Sequence, residues 1–394
     1  MLSSHARPLN DMTALEEMIG SARIVGLGEA GHSAHEFFTL KHRLFRHLAE
    51  TKGFTTFVLE ASWSTGLRLN DYVTNGVGDP VQIMREEFQG QYVFWNTQEY
   101  LDLLHWMREH NAAGRPRLRF AGNDLGYPGR EAFDQVLAGC PELAERLTEL
   151  YAPLRPGTTE EAGRWMFGQL TKEQPLRQAD ADRARAALDL VREHGGSAWA
   201  RQNATAIAQS FTAYAYPDEQ FPERMRYRDR VMADNTAWLL DHTGGKILLA
   251  AGNGHVAYTS DHPEEFPEPA GAFLRERLGA DYVSIGLTFN QGTVNALPDF
   301  TAQEPRVYTV PPAPPGHNEH VLDQVPFRDF ALDLRTVPDR DWFATARPTR
   351  SYGLYWSADD PKTALACSYD LLVHLHQVEA GHLLTPAGGR APRG

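Results

Sequence analysis

Apolar positions along the chain follow two rhythms, short continuous runs and helical repeats, and they alternate. Near the start, Asn10 or Asp11 can cap a short helix that Gly20 ends, and residues 23–27 (RIVGL) form an apolar run of strand length. GEAGHS follows. From residue 33 to 52, Phe37, Leu40, Leu44 and Leu48 recur at helical spacing. A second strand is predicted at 55–59 (TTFVL), ending on Glu60. A helix pattern covers 96–111, and a third strand at 118–121 (LRFA) runs into Gly122, Asn123 and Asp124. Strands alternating with helices predict an α/β fold with a mostly parallel central sheet and crossover helices on its faces.

Between about residues 131 and 242 the rhythm changes. Only helical segments rich in Ala, Leu, Glu and Arg occur there, broken at Pro141, 153–157, 195–196 and 217–222. The expected organisation is a discontinuous α/β core, 1–130 and 243–384, with 131–242 as an all-helical insertion. The sheet resumes at 246–251 (KILLAA), followed by Gly252–His255, and again at 281–289. A Pro-rich loop at 311–316 precedes two possible strands, 352–356 and 371–374. Residues 385–394 (TPAGGRAPRG) are expected to be a disordered tail.

Composition narrows the function. Of 394 residues, 38 are Lys or Arg and 51 Asp or Glu, a net charge of −13 that disfavours nucleic acid and anionic membranes as partners. Two cysteines, Cys140 and Cys367, are too few for a disulfide framework. The first residues lack the basic and apolar regions of a secretory signal, and no stretch approaches the roughly 18 apolar residues of a membrane span. A soluble, cytoplasmic protein acting on a small molecule is expected. Its oligomeric state is not legible.

In an open parallel sheet, ligands bind beyond the carboxyl ends of the strands. Four predicted strands deliver ionisable groups there: Glu29 and His32, then Glu60, then Asp124, then His255. Each has an ordinary alternative. Glu29 could accept hydrogen bonds from the next helix, Glu60 could pair with Lys41 or Arg43, and Asp124 is a common turn residue. Together on one rim they form a constellation. His32 precedes a helix, whose positive end disfavours the imidazolium and so suits the ring to accept a proton. Glu60 ends an apolar run, where desolvation would raise its pKa. The glycines around His255 point to close backbone approach to a ligand.

Other chemistries find little support. GLGEAGH lacks the spacing of a dinucleotide fingerprint, and Glu29 would repel a pyrophosphate. No Walker A motif, Gly-x-Ser-x-Gly elbow or CxxC is present. A His₂Glu zinc set could be drawn from the strand ends, but without HExxH-like spacing. No metal and no cofactor is expected.

The segment GLGEAGHSAHEFFTLKHRLFRHLAETKGFTTFVLEASW resembles the erythromycin esterase family, which shares its core fold with succinoglycan-biosynthesis-like proteins. Further matching blocks are residues 94–111, FAGNDLGY, residues 226–240, AGNGHVAY and YDLLVHLHQ. The resemblance implies hydrolysis of macrolide lactones by activated water, without a covalent intermediate or an obligatory metal. It implies that His32 is the general base, that Glu29 and Glu60 are essential acids, and that His255 is a second important His. A helical insertion closing over a deep cleft is implied for 131–242. The family's usual arginine on the helix after the His falls at Lys41, which keeps the charge but loses the planar bidentate fork.

Lys41, Asp124, Arg228 and Asn235 are the expected substrate-binding residues. Arg228 and Asn235, seven residues apart, share a helix face. Trp165, Met166, Phe211, Tyr214 and Met225 are expected in the core of the insertion more than in its cleft. The leading expectation is an ester or lactone hydrolase acting on a polyketide or other natural product. The alternative is a biosynthetic enzyme using the same His/Glu set for non-hydrolytic cyclisation, elimination or rearrangement.

Overall fold

The apolar runs come together in one nine-stranded sheet. In chain order its strands are β1 (Arg7–Pro8), β2 (Ile24–Leu27), β3 (Phe54–Ser62), β4 (Arg119–Asp124), β5 (Lys246–Ala250), β6 (Tyr282–Ala296), β7 (Arg306–Val310), β8 (Asp329–Asp333) and β9 (Leu371–Val378). The computed structural model describes residues 2–384, apart from 11, 158–161, 300, 301, 303 and 339. Asp11 and the predicted tail, 385–394, lie outside the described residues.

The spatial order is β1-β8-β9-β6-β2-β5-β3-β4, with β7 paired to the far end of β6. The six strands from β9 to β4 are all parallel to their neighbours, and β8, β1 and β7 add antiparallel edges. Ile24 of β2 faces Ile247 of β5 on one side and Tyr282 of β6 on the other. The carboxyl ends of β2, β5, β3 and β4 therefore open on one rim.

Both faces of these strands are apolar, which is why they read as continuous runs instead of alternating ones. Val25, Leu27, Phe57, Leu59 and Leu248 pack beneath α1 (His35–Thr51) and α3 (Gln98–Ala112). On the opposite face, Ile24, Val58, Ile247 and Leu249 meet Met232, Ala233 and Leu240 of α4 (Phe221–Thr243). A further helix, α2 (Trp63–Asn75), follows β3 directly. Thr97 caps α3, its hydroxyl accepting from Tyr100 N.

Between β4 and β5 the described residues form six α-helices, two short 3-10 turns and no strand. Phe133, Leu147, Tyr151, Leu188, Ile207 and Phe211 close a separate apolar core there. Half-buried Trp165 sets its ring edge-on to Tyr127 and Phe211, and Phe211 and Tyr214 are buried.

Three expectations about local structure are corrected. Residues 352–356 form no strand: Tyr352 and Tyr355 make isolated bridges to Gly31 and Leu297. Their segment is held instead by side chains, with Tyr308, Trp356 and Tyr352 stacked in series. Asn10 is not a helix cap, because Thr13–Ile19 begins at Met12 with no side-chain capping bond. Glu60 lies within β3 and not after it, at an irregularity between Leu59 and Ser62 in the pairing with β4. Such a bulge re-aims a side chain. Among the described residues no helix is long and apolar enough to cross a membrane.

Candidate active site

β2 delivers its chemistry through a turn that admits no bulk. A Cβ on Gly28 would overlap the Asn253 side chain, and Asn253 itself bonds the backbone of Leu287 in β6 through both amide groups. The loops after β2 and β5 are thus locked to one strand. Beyond Gly28, buried Glu29 accepts a hydrogen bond from His32 Nδ1 at 2.8 Å through Oε1. Its Oε2 is paired with Lys41 Nζ, which reaches it from α1. His32 is about 12% exposed, its ring flanked by Trp95 at 5.3 Å and Phe94 at 6.4 Å.

β3 and β5 supply the second half. Glu60 Oε2 accepts from Gly252 N at 2.8 Å. Its Oε1 accepts from Arg228 Nη2 at 3.0 Å and lies 3.2 Å from His255 Nε2. Burial pushes this carboxyl up, yet the charge and hydrogen bond of His255, with the charge of Arg228, prevail and hold it well below the usual carboxylate range. The raised value expected from its apolar run is therefore not what the structure gives. Burial likewise opposes protonation of His255, but the Asp229 and Glu60 carboxylates outweigh it and push its pKa up to about 10. Asp229 Oδ1 takes His255 Nδ1 at 2.7 Å and Ala270 N at 2.8 Å.

Arg228 ties the network to β4. Its Nε reaches Asp124 Oδ1 at 2.9 Å and its Nη2 reaches Asp124 Oδ2 at 2.5 Å. Despite burial, the Asp124 and Glu60 carboxylates hold its guanidinium well above the usual value. Tyr92 also donates to Asp124, at 2.9 Å, and burial followed by the Asp124 charge raises its phenol.

Gly252 is the point where the halves meet. A Cβ there would lie 3.1 Å from His32 Cε1, 3.6 Å from Glu60 Oε2 and 3.8 Å from His255 Cδ2. Its φ of −59° is open to any residue, so close approach explains the glycine. The four groups open into a cavity of about 620 Å³, with aromatic walls from Trp95, Phe221, Phe266 and Tyr352.

Of the expected substrate-binding residues, Arg228 lines this cavity; Met225, expected in the core of the insertion, lines it too and corrects that expectation. Lys41, Asp124 and Asn235 do not touch it, and each is almost wholly buried. Lys41 stands behind Glu29 and Asp124 behind Arg228. Asn235 donates to Asn123 O and accepts from Gln202, fixing the end of β4. In this structure they hold the side chains and backbone that line the cavity and do not themselves line it. Asp229, Tyr92 and Trp95 were not anticipated. Asp229 sits in the charged run RYRDR, and only its adjacency to Arg228 could have drawn attention to it.

Residues 49–378 match the sequence model of the erythromycin esterase family. The chain belongs to that family. The matched span contains Glu60, Arg228 and His255, and begins after Glu29, His32 and Lys41. Among relatives of this family member, an erythromycin esterase type II of Escherichia coli is 24% identical over 84% of this chain and 86% of its own. A Bacillus cereus protein is 30% identical, with a TM-score of 0.87 and 98% of each chain covered. A succinoglycan biosynthesis protein is 27% identical, with a TM-score of 0.86 and 97% of each chain covered.

Proposed function

We propose that the chain hydrolyses an ester or lactone of a bulky natural product, using water activated by His32. Membership of the erythromycin esterase family supports a hydrolase, and the Glu29–His32 pair at the cavity carries the finer reading. With Nδ1–H donated to Glu29, Nε2 is the ring's remaining basic atom. In the attack, a water proton passes to Nε2 while the water oxygen bonds to the acyl carbon. The proton then goes to the departing alkoxide, and no acyl-enzyme forms.

Charge favours this order. At formal charge, Glu29, Glu60, Asp124 and Asp229 face three cations, Lys41, Arg228 and protonated His255, leaving one negative charge for a proton on His32 to balance. Arg228 Nη1 and His255 Nε2 lie 3.3 Å apart. With His255 protonated both are donors, and a developing oxyanion set beside the pair would accept from both. A cavity of this size with aromatic walls suits a large, partly apolar substrate such as a polyketide.

The test is turnover of a macrolide and of simpler lactones in labelled water. One labelled oxygen should enter the product acid, and His32→Ala should lower kcat by about 10²–10⁴-fold. Full activity in His32→Ala would end the assignment of the base. A second reading is non-hydrolytic acid–base chemistry in biosynthesis, favoured by the likeness to a protein named for succinoglycan biosynthesis. Product formation without labelled oxygen would select it.

A further inference from the structure

We propose that His35, Glu99 and His382 form a divalent-metal site, separate from the catalytic cavity, that fastens the C-terminal arm of the chain across the loops carrying His32 and Trp95. The three side chains come from distant parts of the sequence. His35 is the first residue of α1, Glu99 lies in the first turn of α3, and His382 lies beyond β9. Their potential ligand atoms all lie within 4.8 Å of one another. His35 Nδ1 and His382 Nδ1 each stand 2.7 Å from the same oxygen, Glu99 Oε1.

Glu99 explains why a cation belongs there. It is 4% exposed, and its Oε2 is buried without a hydrogen-bond partner. Among the described residues its ion-pair partners are the two histidines, with no Lys or Arg in reach. A buried carboxylate half satisfied and lacking a permanent counter-charge is costly. Two imidazoles and one carboxylate are the donor set of Zn²⁺ and related late first-row ions. The His382 side chain is 64% exposed, so solvent can supply a fourth ligand. Binding shifts each ring's proton from Nδ1 to Nε2 and needs no other reactant. Tetrahedral bonds near 2.1 Å set donors roughly 3.4 Å apart, so each ring would draw back from Glu99 Oε1 by about 0.7 Å.

The surrounding backbone shows what the metal would fasten. His35 N donates to Glu379 O at 2.7 Å and Gly381 N to Ser33 O at 3.0 Å. Gln98 N donates to His382 O at 2.9 Å and Leu384 N to Asn96 O at 2.7 Å. The arm thus bridges the segments entering α1 and α3, one three residues after His32 and the other next to Trp95.

The experiment uses the full chain, stripped with a chelator and titrated with Zn²⁺ and with Co²⁺. Expected are one tightly bound equivalent, a rise in unfolding temperature with Zn²⁺, and visible Co²⁺ bands of a four-coordinate site. His382→Ala and His382→Gln should each weaken binding by on the order of 100-fold and abolish the bands. His194→Ala, at the exposed end of the helix Gln174–Glu193, should leave both intact. Absence of a tight equivalent, or wild-type binding and bands in both His382 variants, would overturn the proposal.

Discussion

Because Glu29 takes the Nδ1 proton of His32 and the charge of Lys41 on separate oxygens, an amide cannot replace it. Gln offers one acceptor oxygen and one NH₂. Either Lys41 faces donor hydrogens, or the amide donates to Nδ1 and forces the proton onto Nε2, where the base is needed. Glu29→Gln is therefore expected to reduce kcat by roughly 10²–10⁴-fold with little change in KM, a split that steady-state kinetics reads directly. Wild-type kcat would remove Glu29 from the mechanism. The four groups at the cavity are legible in the sequence because each ends or follows an apolar run, and the strand-end rule needs only the run. Asp229 is not, and Lys41 stands out only through the family resemblance, since a charge inside an amphipathic helix looks the same whether it meets solvent or a buried partner.

Helices and strands cooperate through such hidden charges. α1 buries Phe37, Phe38, Leu44 and Phe45 against the sheet, and Lys41 shares that buried stripe with no exposure at all. It persists there because the end of β2 presents Glu29. Lys41→Met keeps the volume and removes the cation, leaving a buried carboxylate supported by His32 alone. The expected loss of unfolding free energy is about 3–5 kcal/mol, measured by denaturant titration, with part restored in the Lys41→Met/Glu29→Gln double variant. An unchanged midpoint would mean that the pair contributes no net stability. Strands show the same dependence on distant partners. β2, β3 and β5 are apolar enough to be read alone, whereas β7 is mostly exposed and exists through its pairing with Gly292–Ala296 of β6. β8 likewise lies between β9 and the two-residue β1. Nothing local in residues 306–310 or 329–333 announces those partners.

For the whole molecule, the charged network makes stability a function of pH, and the sign follows from where protons sit. His255 has a folded pKa of about 10 against 6.5 unfolded, so between those values the folded chain holds a proton that the unfolded chain releases. Its contribution is complete below about pH 6.5, shrinks as pH rises and is gone above about 10. Glu60 acts oppositely: its contribution is present above its ordinary value of 4.5 and is lost as pH falls through its depressed folded value. Buried Glu319, raised to about 7 chiefly by burial, loses its own proton-linked contribution as pH rises through 7 and is silent above about pH 8, and buried tyrosines such as Tyr92 act only above about pH 10. In the window from pH 8 to 9.5 Glu319 is already spent and Cys140, whose thiol burial pushes up from 9.0, adds a slope of its own, so His255 is read as the difference between two proteins. Wild-type unfolding free energy should fall steadily across it. In His255→Gln, which keeps one amide donor for the flanking carboxylates but cannot titrate, the slope should flatten. Equal slopes in the two proteins would show that the site does not hold His255 protonated, and would remove the second donor from the proposed oxyanion position.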